Sequence, residues 1–390
     1  MKIDRWNPRH WISLLQQGAC SLLAILLRPL AGKPNIPVVI LYGHQLSGNL
    51  RALYQQWQAT HTSKMSLHFL CIDVTHSKQL MRQGVNALRF NSLRDVLTLA
   101  RASVIITDHG LHAMTPLLSL TNIFFVDVWH GIPFKGFIPD DFRLQHRYDE
   151  VWVSSPLLKE IYQNKFGFKP EIVYDMGYAR TDKLFLRHTP EPLFREKASI
   201  PAGNKVVLYA PTWQQDDKGR ELFPFGESQE SFLRKISEVC GEHKATLVIR
   251  SHLNASISAM TFDNVRYCSM KEFPDAEDLL LQTDILICDW SSIAFDFLAL
   301  DRATIFLDVE PPFKNSFSLS GEYRFGKLVT GMNDLEETLN RILAKPQWYV
   351  STQCQRHRDV TSAVYGKNID GEVASRQLSR LADRITRTGT

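Results

Sequence analysis

No pair of cysteines in this chain has the spacing of a metal finger. The six cysteines at 20, 71, 240, 268, 288 and 354 are scattered and never form a CxxC. A zinc site is therefore not expected, and free thiols in a reducing cytoplasm are. Neither GxGxxG nor a P-loop occurs, so both common nucleotide fingerprints are missing. GxSxG is absent, which removes the usual serine elbow. No carboxylate pair stands out in the manner of a glycosidase. Charge of one sign is lacking too. Lys+Arg 45 against Asp+Glu 41 leaves a net +4, without the excess that marks a nucleic-acid binder. Long apolar runs are also missing near the start. The stretch 19–27 holds about nine apolar residues, short of the roughly 20 that span a bilayer.

What is present is a globular composition, 44% apolar and 22% charged over 390 residues, long enough for two or three domains. Short apolar runs alternate with amphipathic stretches. Strands are expected at 36–43, 66–74, 103–108, 122–129 and 150–155, with a sixth near 171–181. Helices are expected at 47–59 and 91–102, the latter capped by Asn91. A polar, proline-containing connector at 187–204 separates a second series. Its strands are expected at 205–213, 245–252, 284–292 and 302–309, its helices at 228–243, 276–283 and 293–301. Helical segments at 334–345 and 372–387 follow.

Strands alternating with helices require crossovers, hence parallel sheets. The expectation is an α/β protein with two doubly wound domains, 35–190 and 200–345, facing across a cleft. A helix within 1–34 precedes them and a helical tail, 346–390, follows. Trp6, Trp11 and the flanking Arg5, Arg9 and Arg28 suit an amphipathic helix lying in a membrane interface. The competing readings are a packing helix and an uncleaved signal segment.

Five polar strings stand at strand ends: "WHGIPFK", "GYARTD", "APTW", "RSH" and "DWSS". In doubly wound sheets ligands bind outside the carboxyl ends of strands. Ser291 and Ser292 precede a helix, whose free N–H groups bind phosphate, although plain N-capping explains serines there equally well. Arg250 and His252 alternate, so they share one face of an extended segment. Arg offers a fork to phosphate oxygens, against the alternative of a surface pair. His130 titrates near neutrality and could take a proton from a hydroxyl. Gly131 lets backbone approach a ligand, and Lys135 adds positive charge. Asp108 and His109, in "TDHG", raise a similar question, ranked lower because no cation stands beside them.

Taken together and in order, "LYGHQLSGNLRALYQQW", "WHGIPFKGF", "GYARTDKLF", "YAPTWQ", "RSH" and "DWSSIAFDFLALDRATIFL" resemble the CDP-glycerol glycerophosphotransferase family, the teichoic-acid-type glycerol-phosphate primases and polymerases. The resemblance covers roughly residues 36 to 345. It implies a GT-B-type fold of two Rossmann-like halves and peripheral attachment to the cytoplasmic face of the cell membrane. It implies transfer of glycerol phosphate from CDP-glycerol, or ribitol phosphate from CDP-ribitol, to a lipid-linked glycan acceptor, with release of CMP. His130 and His252 map onto the family's functional pair. Ser291 and Ser292 map near the donor diphosphate, with Arg250, Thr212, Asp289 and Asp296 on the donor side. Gly131, Lys135, Arg180 and Asp182 fall at positions for acceptor or phosphate contacts. No tightly bound cofactor, no resident metal and no nucleic acid is implied, and assistance by soluble Mg²⁺ stays open. Trp290 stands where the family often has Tyr, and Ser251 where it often has Pro. A sugar-nucleotide glycosyltransferase and a non-catalytic assembly protein are the readings from other classes.

Overall fold

A computed structural model of the protein describes residues 8–60, 64–71, 74–187, 193–212, 223–250, 260–269, 272–313 and 317–388. Seven strands form the first sheet: β1 (Val38–Gly43), β2 (Ser66–Cys71), β3 (Ala87–Arg89), β4 (Ala102–Thr107), β5 (Phe124–Asp127), β6 (Glu150–Val153) and β7 (Val173–Asp175). Their order is β3-β2-β1-β4-β5-β6-β7, with every pairing parallel. The second sheet holds β8 (Lys205–Ala210), β9 (Ala245–Ile249), β10 (Val265–Tyr267), β11 (Ile285–Cys288), β12 (Ala303–Leu307) and β13 (Lys327–Val329). Its order is β10-β9-β8-β11-β12-β13, again parallel throughout. Central strands such as β1 and β11 are buried along their whole length, which is why they read as continuous apolar runs. In each sheet the order reverses once, beside β1 and β4 in the first and beside β8 and β11 in the second. Such a switch point opens a crevice at the carboxyl edge.

The chain divides into two compact units. The first comprises Met1–His130, Ile138–Asp182 and Asp370–Thr390; the second comprises Gly131–Phe137 and Lys183–Ile369. Two features depart from the division drawn on the sequence. The seven residues Gly131–Phe137 belong to the second unit because Phe134 is buried there against Trp290, Phe295 and Phe306, at ring distances of 5.7, 4.6 and 6.4 Å. The C-terminal segment is also not one tail. Helix Pro346–Tyr365 stays with the second unit, whereas helix Val373–Thr388 belongs to the first. There Val373, Ala374, Leu378, Leu381 and Ile385 join Leu50, Leu53 and Tyr54 in one core. Arg380 clasps Glu150 through two bonds of 2.8 Å.

The N-terminal helix, Pro8–Leu27, lies against helices Leu93–Ala100 and Thr115–Leu120. Gln17, Cys20, Ser21 and Ala24 form its buried face. Arg28 locks its end, donating from Nη1 to the carbonyls of Ala100 and Ala102 at 2.9 Å each. Packing therefore holds for one face. Trp11, Leu15, Leu22, Leu26 and Leu30 remain exposed. Helix Leu93–Ala100 is capped by Ser92, whose oxygen accepts from Asp95 N–H at 3.4 Å, and not by Asn91. No helix of the described residues is long and apolar enough to cross a membrane.

Candidate active site

In the second unit the switch point brings "APTW" and "DWSS" together. Thr212 follows β8 and Asp289 follows β11. Asp289 Oδ1 accepts the N–H of Thr212 at 2.7 Å, the Thr212 hydroxyl, and the N–H of Trp290 at 2.6 Å. Asp289 is thus a brace between two strand ends, and its carboxylate is already occupied. Ser292 opens the helix Ile293–Leu298 but makes no side-chain cap; only its carbonyl serves the helix, accepting Phe295 N–H at 3.1 Å. Plain capping therefore does not account for Ser292. Asp296 is buried in the same short helix.

Arg250 is the first residue beyond β9. Its N–H prolongs the pairing to Tyr209 O at 3.0 Å, the residue is 7% exposed, and its guanidinium donates to Phe273 O at 3.1 Å. A solvated surface arginine is thereby ruled out. Burial lowers its pKa, with Glu277 opposing. His252 lies outside the described residues, so the structure says nothing of its partnership with Arg250. Lys135 sits in the second unit. Its backbone pairs with Phe317, its carbonyl accepts the Ser318 hydroxyl, and its ammonium rests 5.0 Å from the Phe137 ring.

In the first unit the carboxyl edge is lined by four histidines. His44 follows β1, His109 follows β4, His112 lies one turn later, and His130 follows β5. The His44 ring lies 5.6 Å from His109 and 5.0 Å from His112. His109 and His130 are stacked, centroids 4.2 Å apart and planes 9° from parallel. Gly43 permits this crowding, since a Cβ there would stand 2.7 Å from Asp108 Oδ1. His109, ranked below the other candidates on the sequence, is brought against His130 here.

The turn after β5 is strained and braced. Trp129 adopts φ +46°, rare for a bulky residue, and Gly131 adopts φ +152°, which glycine alone tolerates well. Trp129 N–H donates to Asp127 Oδ1 at 2.7 Å. Asn49, buried at the start of helix Gly48–Thr60, donates from Nδ2 to the carbonyls of Val128 and Trp129, both at 2.9 Å. Arg180 donates from Nη1 to His130 O at 2.9 Å. Backbone strain of this kind costs roughly 1–3 kcal/mol and persists where neighbours over-determine it. Here Asn49, Asp127 and Arg180 do so.

His130 Nδ1 lies 3.0 Å from the Asp108 carbonyl. A carbonyl only accepts, so Nδ1 carries the hydrogen and Nε2 keeps its lone pair. Desolvation by the surrounding protein first, then the His109 charge, lowers the His130 pKa from its ordinary value, although the residue keeps an exposed edge. Asp127 is fully buried, and burial pushes its carboxyl up to about 7. Asp182 has a different task from the contact expected of it. Its two oxygens accept Val373 N–H at 3.0 Å and Ala374 N–H at 2.8 Å, capping the C-terminal helix of the first unit. Burial raises its pKa to about 6. Among the described residues no group of three or more His, Cys, Asp or Glu is arranged to hold a metal ion.

Teichoic acid enzymes occur among both the solved structures and the sequences that this chain resembles. The wall teichoic acid polymerase TagF superposes with a TM-score of 0.73 at 19% identity, covering 97% of this chain and 96% of that one, which establishes the fold. A teichoic acid poly(glycerol phosphate) polymerase of Bacillus spizizenii is 26% identical over 343 residues, 80% of this chain and 84% of that protein. A teichoic acid ribitol-phosphate polymerase of Staphylococcus aureus is 28% identical over 201 residues, 46% of this chain and 38% of that protein. The family model for CDP-Glycerol:Poly(glycerophosphate) glycerophosphotransferase matches residues 26–381. With that match spanning nearly all of both sheets, the chain belongs to this glycerophosphotransferase family and is a transferase.

Proposed function

We propose that this transferase moves glycerol phosphate from CDP-glycerol to a hydroxyl of a lipid-linked glycan or polymer, releasing CMP. The polymer built is of the teichoic acid or capsular kind, and ribitol phosphate from CDP-ribitol is the competing donor. The observation that carries the reading is the tautomer of His130. With Nδ1–H committed to Asp108 O at 3.0 Å, Nε2 is free to accept the proton of an attacking hydroxyl.

The acceptor oxygen attacks the β-phosphorus of the donor in line. Its proton passes to His130 Nε2, the new P–O bond forms, and the bond to the bridging oxygen breaks with its electron pair leaving on CMP. Arg250 and His252 stabilise the departing phosphate. Ser291 and Ser292 hold the diphosphate, with Thr212, braced by Asp289, beside them. Phosphoryl transfer of this kind depends on positioning and charge stabilisation rather than on a covalent intermediate. No resident cofactor takes part, and any Mg²⁺ enters as a counter-ion of the donor diphosphate.

The enzyme works from the cytoplasmic membrane surface. Two features support this. The exposed face of helix Pro8–Leu27 presents Leu15 and Leu26 at 72% and 71% exposure. From Arg5 to Ile72 the chain has no Asp or Glu, but carries Arg9, Arg28, Lys33, Arg51 and Lys64. Exposed apolar residues in a stretch of net positive charge fit an anionic interface.

The test is CMP release by purified protein given CDP-glycerol, CDP-ribitol or UDP-sugars, with a defined lipid-linked acceptor. CMP from one CDP-alditol, reduced about 10²–10⁴-fold in His130→Ala and His252→Ala, is the expected result. Turnover of a UDP-sugar alone, or unchanged turnover in both variants, defeats the reading.

A further inference from the structure

We propose that His109 is a positioning residue for this transfer: stacked on His130 and tied to Asp108, it holds the His130 ring in place and keeps its outer nitrogen free of a proton. The proposal rests on the reading of His130 as the base on the acceptor side.

The arrangement follows from the sheet. β4 and β5 are neighbours, with Thr107 paired to Asp127 and Val128 N–H donating to Thr107 O at 2.9 Å. The residues just beyond the two strands therefore emerge side by side. Asp108 then serves both rings. Its main-chain carbonyl fixes Nδ1–H of His130 at 3.0 Å, and its carboxylate pairs with Nδ1 of His109 at 2.8 Å. The 4.2 Å stack adds a parallel wall to the His130 ring, and Trp129 is its second aromatic neighbour, at 4.3 Å.

The groups around the two rings act differently on each. His130 meets His109 and the Asp108 carbonyl from the β4 edge, and Arg180 from the turn after β7. His109 meets Asp108 and Asp127, with His44 and His112 behind it. Burial works against a proton on His109, yet the Asp108 charge and bond, aided by Asp127, raise its pKa overall. His130 shifts the other way, through desolvation and then the charge of His109. A proton is thus favoured on His109 and disfavoured on His130. A cationic neighbour at this distance makes a second proton unfavourable, so His130 stays in the form a base requires at pH values where a lone histidine is partly protonated.

His109→Phe keeps a flat ring and removes the charge; His109→Asn removes both. The experiment follows kcat/KM for the CDP-alditol against pH in the wild type and both variants. In parallel, NMR of ¹³C-histidine-labelled protein follows His130. The expected result is an acid limb, and a His130 titration, displaced to higher pH by roughly half a unit or more in both variants. Donor KM stays at the wild-type value. In the wild type alone, His130 must titrate below and His109 above the ordinary value of about 6.5, whatever the variants do. A lower rate with an unmoved acid limb and an unmoved His130 titration would leave His109 a purely structural part and overturn the proposal. Wild-type turnover in His130→Gln would fell the underlying reading instead, and the proposal with it. The NMR titration separates these two failures because it needs no turnover.

Discussion

The side-chain oxygen of Asn49 accepts the backbone N–H of Arg180 at 3.1 Å, joining the first turn of a helix after β1 to the turn after β7. The same amide's nitrogen holds the carbonyls of Val128 and Trp129. One buried side chain thus ties two loops near His130 to its own helix. Asn49→Ala leaves two carbonyls and one N–H without these partners. At about 1–3 kcal/mol for each buried unpaired group, the first unit should lose at least ~2 kcal/mol. Asn49→Asp should be worse, because a carboxylate would face two carbonyls. Denaturant unfolding followed by Trp fluorescence measures both, and CMP release should fall with them.

Asp127 supplies a pH test with a definite sign. Its folded pKa, about 7, lies above the ordinary carboxylate value, so the folded protein binds the proton more tightly than the unfolded chain. Its contribution to stability is therefore greatest in acid and is lost as pH rises through about 7. Asn cannot ionise. The Tm of Asp127→Asn minus that of the wild type should become more positive from about pH 4, near the ordinary carboxylate value, to about pH 7.5, and level off above it. A difference that stays flat or declines contradicts the assignment.

Thr212 gives Asp289 a hydroxyl bond in addition to its N–H. Thr212→Val keeps the N–H, so the unit should lose only about 1 kcal/mol of stability. If Thr212 lies on the donor side, KM for the CDP-alditol should rise while kcat is largely kept. Initial-rate kinetics with varied donor separates the two constants.

The exposed face of helix Pro8–Leu27 can be changed without disturbing its buried face. Leu15, Leu22 and Leu26 are 72%, 52% and 71% exposed. Replacing all three by Gln should leave Tm unchanged. It should lower partition onto anionic vesicles by at least about tenfold, since each Leu transferred contributes about 1.5–3 kcal/mol at most. Vesicle co-sedimentation reads the effect. Equal binding by both proteins would locate the membrane contact elsewhere.

Buried central strands were legible in the sequence because five apolar residues in a row, as in β1, leave few alternatives. The edge strands β3, β10 and β13 were not, since three residues carry no periodicity and take their form from a neighbour. The polar strand ends were legible as candidates. What they touch was not. Asp182 read as a contact for a ligand, yet its carboxylate caps a helix that begins 191 residues later. The pairing of His109 with His130 was not legible because only the β4–β5 register brings the two rings together. The two-unit plan followed from alternation, but the crossing of Gly131–Phe137 depended on where Phe134 finds its aromatic neighbours.

The return of helix Val373–Thr388 to the first unit bears on how the protein is made. A ribosome that has delivered all seven strands of the first sheet has not yet delivered Val373, Leu378, Leu381 or Ile385, which complete that core. Asp182 and Glu150 likewise wait for Ala374 and Arg380. The second sheet is translated in the interval. The unit whose strands are made earlier is thus the later of the two to close, and a nascent chain lacks the cover over helix Gly48–Thr60 until helix Val373–Thr388 has been made. A chaperone, or a membrane already engaged by the N-terminal helix, would meet the protein in that state.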